Sequence, residues 1–169
     1  MARHTASFWI ERLQLSRHAE GGWFSEVYRS GLMLQKEQLP SSFTGKRNAC
    51  THIYFLLEGH GFSAFHRIKS DELWHFHDGD PFIIYEFDQN DKLVEHLLGN
   101  DPEKGQSLFC VIKGSNWFAS KLADSGEYGL AGCTVAPGFD FNDFELAEKD
   151  KLLMHYPHYD ELISRMTLK

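Results

Sequence analysis

From residue 23 to residue 135, short strand-like segments alternate with turn-forming residues, and this feature constrains the fold more than any other. The segments are rich in β-branched and aromatic residues, and breakers such as "EGHG", "HDGDP" and "GNDPEKG" separate them. No helical periodicity lies between the segments, which indicates a β-sandwich or barrel and argues against a β–α–β fold. We predict nine strands, at residues 23–28, 51–57, 61–67, 73–77, 82–87, 93–98, 108–112, 117–121 and 129–135.

Helical patterns occur only at the two ends of the chain. The stretch "TASFWIERLQLS" (residues 5–16) places its apolar residues at helical spacing and offers Thr5 or Ser7 as an N-cap. The stretch "YDELISRM" (residues 159–166) puts three apolar residues on one helical face. Because no repeat, low-complexity tract or linker divides the chain, we predict a single domain over residues 1–169.

Charge and cysteine content exclude several classes of partner. The 24 acidic residues outnumber the 17 basic ones, and the basic residues are scattered. Nucleic acids and anionic lipid surfaces require clustered Lys and Arg, so we expect neither as a partner. Cys50, Cys110 and Cys133 lie far apart in apolar runs with no CxxC pair, which is typical of small buried side chains in a reducing compartment. With no targeting segment and no long apolar run, we expect a cytoplasmic protein without a membrane partner.

One histidine-rich window, "FHRIKSDELWHFHDGDP" (residues 65–81), carries the strongest functional signal. Side chains alternate between the two faces of a strand, so His66 and Glu72 are predicted to point into the interior. His75 and His77 then share the opposite face. The window suits a metal site, acid–base chemistry without a metal, or histidines that only pack within a sheet.

The window resembles the first signature of the cupin superfamily, in which two histidines, a glutamate and a glycine correspond to His66, Ile68, Glu72 and Gly79. The stretch "GQSLFCVIKGSNWFASK" is a degraded likeness of the second signature, with Trp117 in place of its histidine. In metal-binding cupins these three histidines and the glutamate hold the ion, so the resemblance leaves only His66 and Glu72 as ligands. Two donors make a poor transition-metal site, so we predict no tightly bound metal cofactor. A weakly bound divalent metal, with further donors from His52, His75 or His77, is the alternative.

A larger part of the chain resembles one group of small single-domain cupins with an "HPEGG…F…YRS" opening. The matching stretches include "HAEGGWFSEVYRS" (residues 18–30), the histidine-rich window, and "YGLAGCTVAPGFDFNDFELA" (residues 128–147). This resemblance implies an all-β fold, a double-stranded β-helix (cupin jelly roll) with short N- and C-terminal helices. It leaves the reaction open.

The candidate catalytic residues follow from the metal-free cupins that epimerise sugar nucleotides, where a histidine base and a tyrosine acid act beside a carbonyl. This analogy makes His66 the base, Glu72 or Asp140 its orienting carboxylate, and Tyr54 or Tyr85 the acid. Aromatic side chains would line a pocket suited to sugar rings or flat heterocycles. The candidate ligand-binding residues are Glu20, His52, Arg67, Trp74, His75, His77, Trp117 and Asp140.

Each candidate also has a purely structural interpretation. The alternative for His66 is a hydrogen-bonded core histidine. In "HAEGGWF", His18 or Glu20 lies at the pocket mouth, or Glu20 only binds backbone N–H groups in a turn. The stretch "PGFDFNDFELA" is an aromatic flap that seals the core, or it supplies Asp140 or Asp143 to a pocket histidine. His75 and His77 lie at a dimer interface or face water.

We therefore predict a small-molecule-binding cupin, with a metal-independent sugar or sugar-nucleotide epimerase or isomerase as the leading hypothesis. The alternatives are a non-catalytic binding or sensing protein, a metal-dependent dioxygenase or isomerase, and a storage protein. A lone sandwich of this size exposes edge strands, so we also expect a homodimer, with the segment through Tyr28 as the candidate for exchange between protomers.

Overall fold

A computed structural model describes residues 4–123 and 126–168 of the chain. These residues form two extensive β-sheets, a small hairpin, three α-helices and four short 3₁₀-helices. The α-helices and strands are α1 (Ala6–Arg12), β1 (Ser16–Arg17), β2 (Trp23–Arg29), β3 (Met33–Leu34), β4 (Arg47–Asn48), β5 (Thr51–Glu58), β6 (Phe62–Arg67), β7 (Asp71–Gly79), β8 (Phe82–Phe87), β9 (Leu93–Leu98), β10 (Phe109–Ile112), β11 (Trp117–Leu122), β12 (Tyr128–Ala136), β13 (Glu145–Leu146), α2 (Lys149–His155) and α3 (Asp160–Arg165).

The two large sheets form a jelly-roll sandwich. One sheet has the strand order β1-β2-β5-β12-β7-β10, and the other has the order β13-β6-β11-β8-β9. Neighbouring strands are antiparallel in both sheets. All nine predicted strands are present with ends within two residues of the prediction, and the predicted all-β double-stranded β-helix with helical ends is confirmed.

The main core lies between the sheets and follows from strand alternation. Along β7, Glu72, Trp74 and Phe76 are buried while the residues between them are half-buried or exposed. Side chains from the facing sheet complete this core, among them Phe82 and Phe118. The inward face of β7 is therefore the one predicted from the sequence.

Helices cover the outer faces at the two ends of the chain. Thr5 caps α1, as predicted, because its hydroxyl accepts a hydrogen bond of 3.2 Å from the Phe8 amide. Helix α1 packs on the six-stranded sheet, and α2 and α3 pack on the five-stranded sheet. Helix α2 and the two-residue strands were not predicted, since their sequences are too short to show a periodicity. No helix in the described part of the chain is long and apolar enough to cross a membrane.

Candidate active site

An interior cavity of about 360 Å³ lies between the sheets at one end of the sandwich. Its walls come from the loop before β2, from β2, β5, β6, β7 and β12, and from the segment after β12. A largely apolar cavity with a few convergent polar groups is the usual form of a small-molecule site. The lining residues are His18, Glu20, Phe24, Glu26, Arg29, Thr51, Ile53, Phe55, His66, Ile68, Glu72, Trp74, Val135, Phe139, Asp140, Phe141 and Phe144.

Glu20 and His66 form a buried pair on one wall of the cavity. Glu20 Oε2 lies 3.1 Å from His66 Nε2, and Ser63 donates a 2.9 Å hydrogen bond to Glu20 Oε1. An irregularity in the pairing of β6 with β11 allows both contacts: Phe118 lies opposite His66, but Ser120 lies opposite Ser63. The extra residue on β6 brings Ser63 and His66, three positions apart, to the same carboxylate.

The hydrogen bonds define where the protons of this pair lie. His66 Nδ1 is 2.7 Å from the carbonyl oxygen of Ala64, and because a carbonyl only accepts, Nδ1 carries a proton. Burial lowers the pKa of His66, although the charge of Glu20 and the Ala64 carbonyl raise it in part, so Nε2 is left without a proton at neutral pH. A proton taken up between Nε2 and the Glu20 carboxylate would form a hydrogen bond between the two groups. Burial raises the pKa of Glu20, but His66, His18 and the Ser63 hydroxyl together lower it by more than burial raises it, so the net shift is downward.

A glycine in the turn between β1 and β2 allows Glu20 to reach β6. Gly21 has φ +109°, and a Cβ at this position would overlap the carbonyl oxygen of Phe62. The close approach is held by a 2.8 Å hydrogen bond from the Ala64 amide to the Glu20 carbonyl. The "EGG" turn is therefore what places the Glu20 carboxylate on His66.

We predict that Gly21→Ala lowers the free energy of unfolding by about 2–4 kcal/mol, because it combines a strained φ with a backbone overlap. The matched control is Gly105→Ala, where φ is +74° and an added methyl group would meet no atom within 4 Å. The control should cost only about 1–2 kcal/mol. Urea denaturation at pH 7 measures both, and equal costs would show that the contact with Phe62 is unimportant.

Glu72 lies on β7 in the same cavity and has the opposite protonation preference. Burial and the negative charge of Glu20 raise the pKa of Glu72 to about 8, although the nearby Cys133 and Trp74 side chains lower it in part. At neutral pH Glu20 is therefore an ionised carboxylate, whereas Glu72 in the same cavity is a neutral carboxylic acid. Two carboxyl groups whose environments push their pKa values apart are the usual components of an acid–base site.

Arg29 and Asp140 lie at the mouth of the cavity. Arg29 makes a two-fold ion pair with Glu26, at 2.8 and 2.6 Å, and its Nη1 donates to Asn48 Oδ1 and to the Phe139 carbonyl oxygen. Asp140 accepts a hydrogen bond from the amide of Asn142 and caps a 3₁₀-helix. The structure gives Asp140 no hydrogen bond to His66, so the carboxylate that contacts this histidine is Glu20.

The two tyrosines predicted as acids lie outside the cavity. Ile53 and Phe55 line the cavity, so alternation along β5 turns Tyr54 to the outer face of the sheet, where its ring centre lies 5.7 Å from that of His77. Tyr85 packs against the C-terminal helices on the outer face of the other sheet. Neither phenol is placed to give a proton to a ligand in the cavity, which corrects the predicted acid.

Arg67 and Trp117 also lie away from the cavity. The Arg67 guanidinium stacks 4.3 Å above the Trp117 ring, and its Nε donates to Glu145 at 2.9 Å. Trp117 points outward because its neighbour Phe118 points into the core. Both residues line a separate groove of about 420 Å³ beside α2. The expectation that they contact the same ligand as His66 is therefore corrected.

His52, His75 and His77 lie together on the outer face of the six-stranded sheet. Gly132 on the strand between them has no side chain, and a Cβ there would overlap the rings of His52 and His77. His52 Nδ1 contacts the Thr134 hydroxyl at 2.8 Å. The predicted separation of these histidines from His66 and Glu72 agrees with the structure, since the sheet lies between the two groups.

The donor set does not fit a cupin metal centre. Both ring nitrogens of His66 already contact protein oxygens, Ile68 offers no donor, and Trp117 lies outside the cavity. Within residues 4–123 and 126–168, no group of three or more His, Cys, Asp or Glu side chains is arranged to hold a metal ion. The site therefore has to be considered as a set of proton donors and acceptors.

Several lining residues were not predicted from the sequence. Arg29 and Phe24 line the cavity and gave no local signal, and the same holds for Ser63, which lies behind Glu20 as its hydrogen-bond donor, because these roles depend on a bulge and on contacts between distant strands. Phe144 lies in the predicted aromatic flap, and its ring faces those of His18 and His66, at 6.0 and 5.5 Å between centres. The aromatic segment thus covers the Glu20–His66 pair.

A jelly roll with an inward-facing histidine on β6 and glutamate on β7 is the arrangement found in cupins. The chain matches the family model described as "Cupin superfamily (DUF985)" over residues 7–147, and it belongs to this family.

Proteins similar to this chain come from distant organisms. A hypothetical protein from Leishmania major is 36% identical with a TM-score of 0.88, and the match covers 98% of this chain and 100% of that one. A Shewanella oneidensis protein is 33% identical with a TM-score of 0.86, covering 98% of both chains. The Saccharomyces cerevisiae protein YML079W is 29% identical over 158 residues, 86% of this chain and 77% of the yeast protein. Bacillus subtilis oxalate decarboxylase, at 13% identity and a TM-score of 0.53 over 89% of this chain and 36% of that one, shares the fold alone.

Proposed function

We propose that this cupin is an acid–base enzyme that moves a proton next to a carbonyl group of a small molecule bound in the interior cavity, as an epimerase or isomerase does. One observation supports the proposal most strongly: Glu20 and Glu72 lie in one cavity, and their pKa values are shifted in opposite directions. Glu72 is the acid, and the Glu20–His66 pair is the base.

The proton balance of such a step suits this cavity. The Glu20–His66 pair takes a proton from the carbon beside the carbonyl, and the electron pair of that C–H bond forms a C=C bond. The carbonyl oxygen takes the proton of Glu72 and becomes an enol hydroxyl. The positive charge gained by the pair equals the negative charge left on Glu72, so the net charge of the buried site is unchanged. Return of the proton to the other face of the same carbon, with the enol hydroxyl returning its proton to Glu72, gives an epimer. Where that carbon carries a hydroxyl, return of the proton to the former carbonyl carbon, with loss of this hydroxyl's proton to Glu72, gives an isomer.

Deuterium exchange tests the proposal. The protein is incubated in D₂O with a panel of uncharged aldoses, ketoses and cyclic ketones, and NMR follows the loss of the proton beside the carbonyl. We predict exchange by the wild type and a loss of about 100-fold or more in His66→Gln and in Glu72→Gln. The rate should fall as the pH rises through about 8, because Glu72 then loses the proton that it donates.

The tyrosine variants Tyr54→Phe and Tyr85→Phe are the matched controls, since both phenols lie outside the cavity. They should exchange at the wild-type rate. Exchange that survives both His66→Gln and Glu72→Gln, or that disappears in a tyrosine control, would contradict the assigned roles.

A second candidate function is non-catalytic binding in the same cavity. It is favoured by the fact that both ring nitrogens of His66 are already occupied, which is also the pattern of a structural histidine. Under this alternative a small molecule co-purifies with the protein and is detected by native mass spectrometry, while no compound of the panel exchanges its proton.

A further inference from the structure

The indole N–H of Trp74 is a buried donor that forms no hydrogen bond of normal geometry in the described part of the chain, although it lies near enough to the Glu72 carboxyl to lower the pKa of that group. Trp74 is 1% exposed and lines the cavity. The indoles of Trp9 and Trp23, by contrast, donate to the carboxylates of Asp78 and Glu58 at 3.0 and 2.9 Å. Among the same described residues, one other buried side-chain polar atom lacks a partner, the Ser120 hydroxyl, and Ser120 is not among the cavity residues.

Packing holds the Trp74 ring where it is. The ring makes edge contacts with Phe55 and Phe82, with centroid distances of 5.5 and 5.9 Å. In the sheet, Trp74 lies opposite Cys110 on one side and Cys133 on the other. The indole therefore has no free rotation toward bulk water, and a buried donor that is never satisfied costs free energy. The neighbouring Glu72 carboxyl does not make this bond with normal geometry, so an oxygen atom of a ligand in the cavity can supply the missing acceptor.

A second donor lies beside the indole. Glu72 is two residues before Trp74 on β7, so both side chains project from the same face into the same cavity. While Glu72 is protonated its carboxylic acid O–H is a donor, so the two groups offer a pair of donors to one oxygen atom.

The charges around the cavity restrict the class of ligand that can supply this acceptor oxygen. Four of the lining residues are acidic: Glu20, Glu26, Glu72 and Asp140. Arg29 is the one Lys or Arg side chain among the lining residues of the described chain, and Glu26 already binds it twice. A phosphate entering this cavity would meet ionised carboxylates with no free guanidinium or ammonium group to bind it.

We propose that Trp74 and Glu72 together bind an acceptor oxygen, a carbonyl or hydroxyl, of an uncharged ligand, and that the cavity rejects phosphorylated and nucleotide-linked forms of that ligand. The inference rests on the proposed function in placing the ligand in this cavity, and it narrows the substrate class from sugars and sugar nucleotides to neutral compounds. The aromatic rings of Phe24, Phe55 and Phe144 supply apolar contacts for the rest of the molecule.

The test uses the indole ¹⁵N–H signal of Trp74 in ¹⁵N-labelled full-length protein, assigned by its loss in Trp74→Phe. The probes are a set of uncharged cyclic ketones and monosaccharides, each paired with its phosphate ester where one exists. We expect several uncharged probes to bind and to move the Trp74 signal downfield, since an N–H that gains an acceptor is deshielded. We expect their phosphate esters to bind at least tenfold more weakly, and Trp74→Phe to weaken the uncharged probes by about tenfold.

Trp117→Phe is the matched control because Trp117 lies on the outer face of the other sheet, and it should bind the probes as the wild type does. The inference is overturned if no uncharged probe binds, if probes bind without moving the Trp74 signal, or if the phosphate esters bind equally well. The signal is read on the wild type, so the test stands even where Trp74→Phe folds poorly.

The two proposals fail in different ways. Probes that move the Trp74 signal but exchange no proton in D₂O uphold the ligand class and overturn the enzyme. If Trp74→Phe still exchanges the proton with an unchanged KM, the proposed enzyme activity stands, and the proposed donor pair of Trp74 and Glu72 is wrong.

Discussion

Replacing Glu72 by glutamine is expected to stabilise the protein in mildly alkaline solution, although the substitution removes a buried residue of the candidate active site. Burial and the charge of Glu20 raise the pKa of Glu72 from its ordinary 4.5 to about 8 in the folded protein. Between these two values the folded state keeps a proton that the unfolded state has released. Stability therefore falls as the pH rises through this window.

The size of the effect follows from the same shift. Each pH unit inside the window removes up to about 1.4 kcal/mol, so the wild type should lose about 3–4 kcal/mol between pH 5 and pH 8 relative to Glu72→Gln. Glutamine is uncharged in both states and has no such slope. The two proteins should have similar stability at pH 5, and the variant should be clearly more stable at pH 8 to 9, as measured by urea denaturation across this range.

Comparison of variants isolates this contribution. The pKa values of His52 and His77 are lowered, mainly by burial, and they change stability below pH 7, but they do so in both proteins and cancel in the difference. Glu20→Gln should act in the opposite sense and destabilise the protein at neutral pH, because it removes a carboxylate whose pKa is lowered. The exposed replacement Glu161→Gln should have no effect. Parallel pH curves for wild type and Glu72→Gln would mean that Glu72 is not protonated in the folded state.

Strand alternation explains both the successes and the errors of the sequence interpretation. It correctly placed Glu72 and Trp74 on the inner face of β7. The same rule explains why Trp117 lies outside the cavity. Only one of two neighbouring strand residues can point inward, and here it is Phe118, which packs in the main core. Within a strand the sequence predicts which residues share a face, but it does not predict which of the two faces borders a cavity.

The contact between Glu20 and His66 could not be predicted in this way. It depends on a bulge in β6 and on a loop that returns across a different sheet, and neither produces a local pattern. The paired glycines after Glu20 were a partial signal, since they indicated a backbone conformation with positive φ. They did not identify the strand that the turn approaches.

The ion pair between Arg47 and Asp143 holds the aromatic segment over the cavity, and breaking it is expected to be strongly destabilising. Arg47 donates from Nε and Nη2 to the two carboxylate oxygens, both at 2.6 Å, and Lys69 Nζ lies 3.1 Å from Oδ1. The Arg47 and Asp143 side chains are only 5% and 4% exposed. Asp143 ends the 3₁₀-helix between the cavity residues Phe141 and Phe144.

We predict that Asp143→Asn lowers the free energy of unfolding by about 3–5 kcal/mol, because it leaves the Arg47 guanidinium buried without its countercharge. The exposed pair of Arg67 and Glu145 is the matched control, and Glu145→Gln should cost less than about 1 kcal/mol. The double variant Arg47→Met/Asp143→Leu should recover much of the loss, since it removes both charges together.

The pH dependence gives an independent check on the same pair. Burial raises the pKa of Asp143, but Arg47 and Lys69 together lower it by more than burial raises it, so the net shift is downward. A lowered pKa means that the stabilisation is present above the unfolded value of 3.8 and is lost as the pH falls below it. The double variant lacks this carboxylate, so its free energy of unfolding should fall less than that of the wild type when the pH is lowered from 7 to below 4. If Asp143→Asn costs no more than Glu145→Gln, the pair does not anchor the segment, and the aromatic cover over the Glu20–His66 pair must be held by the phenylalanine contacts alone.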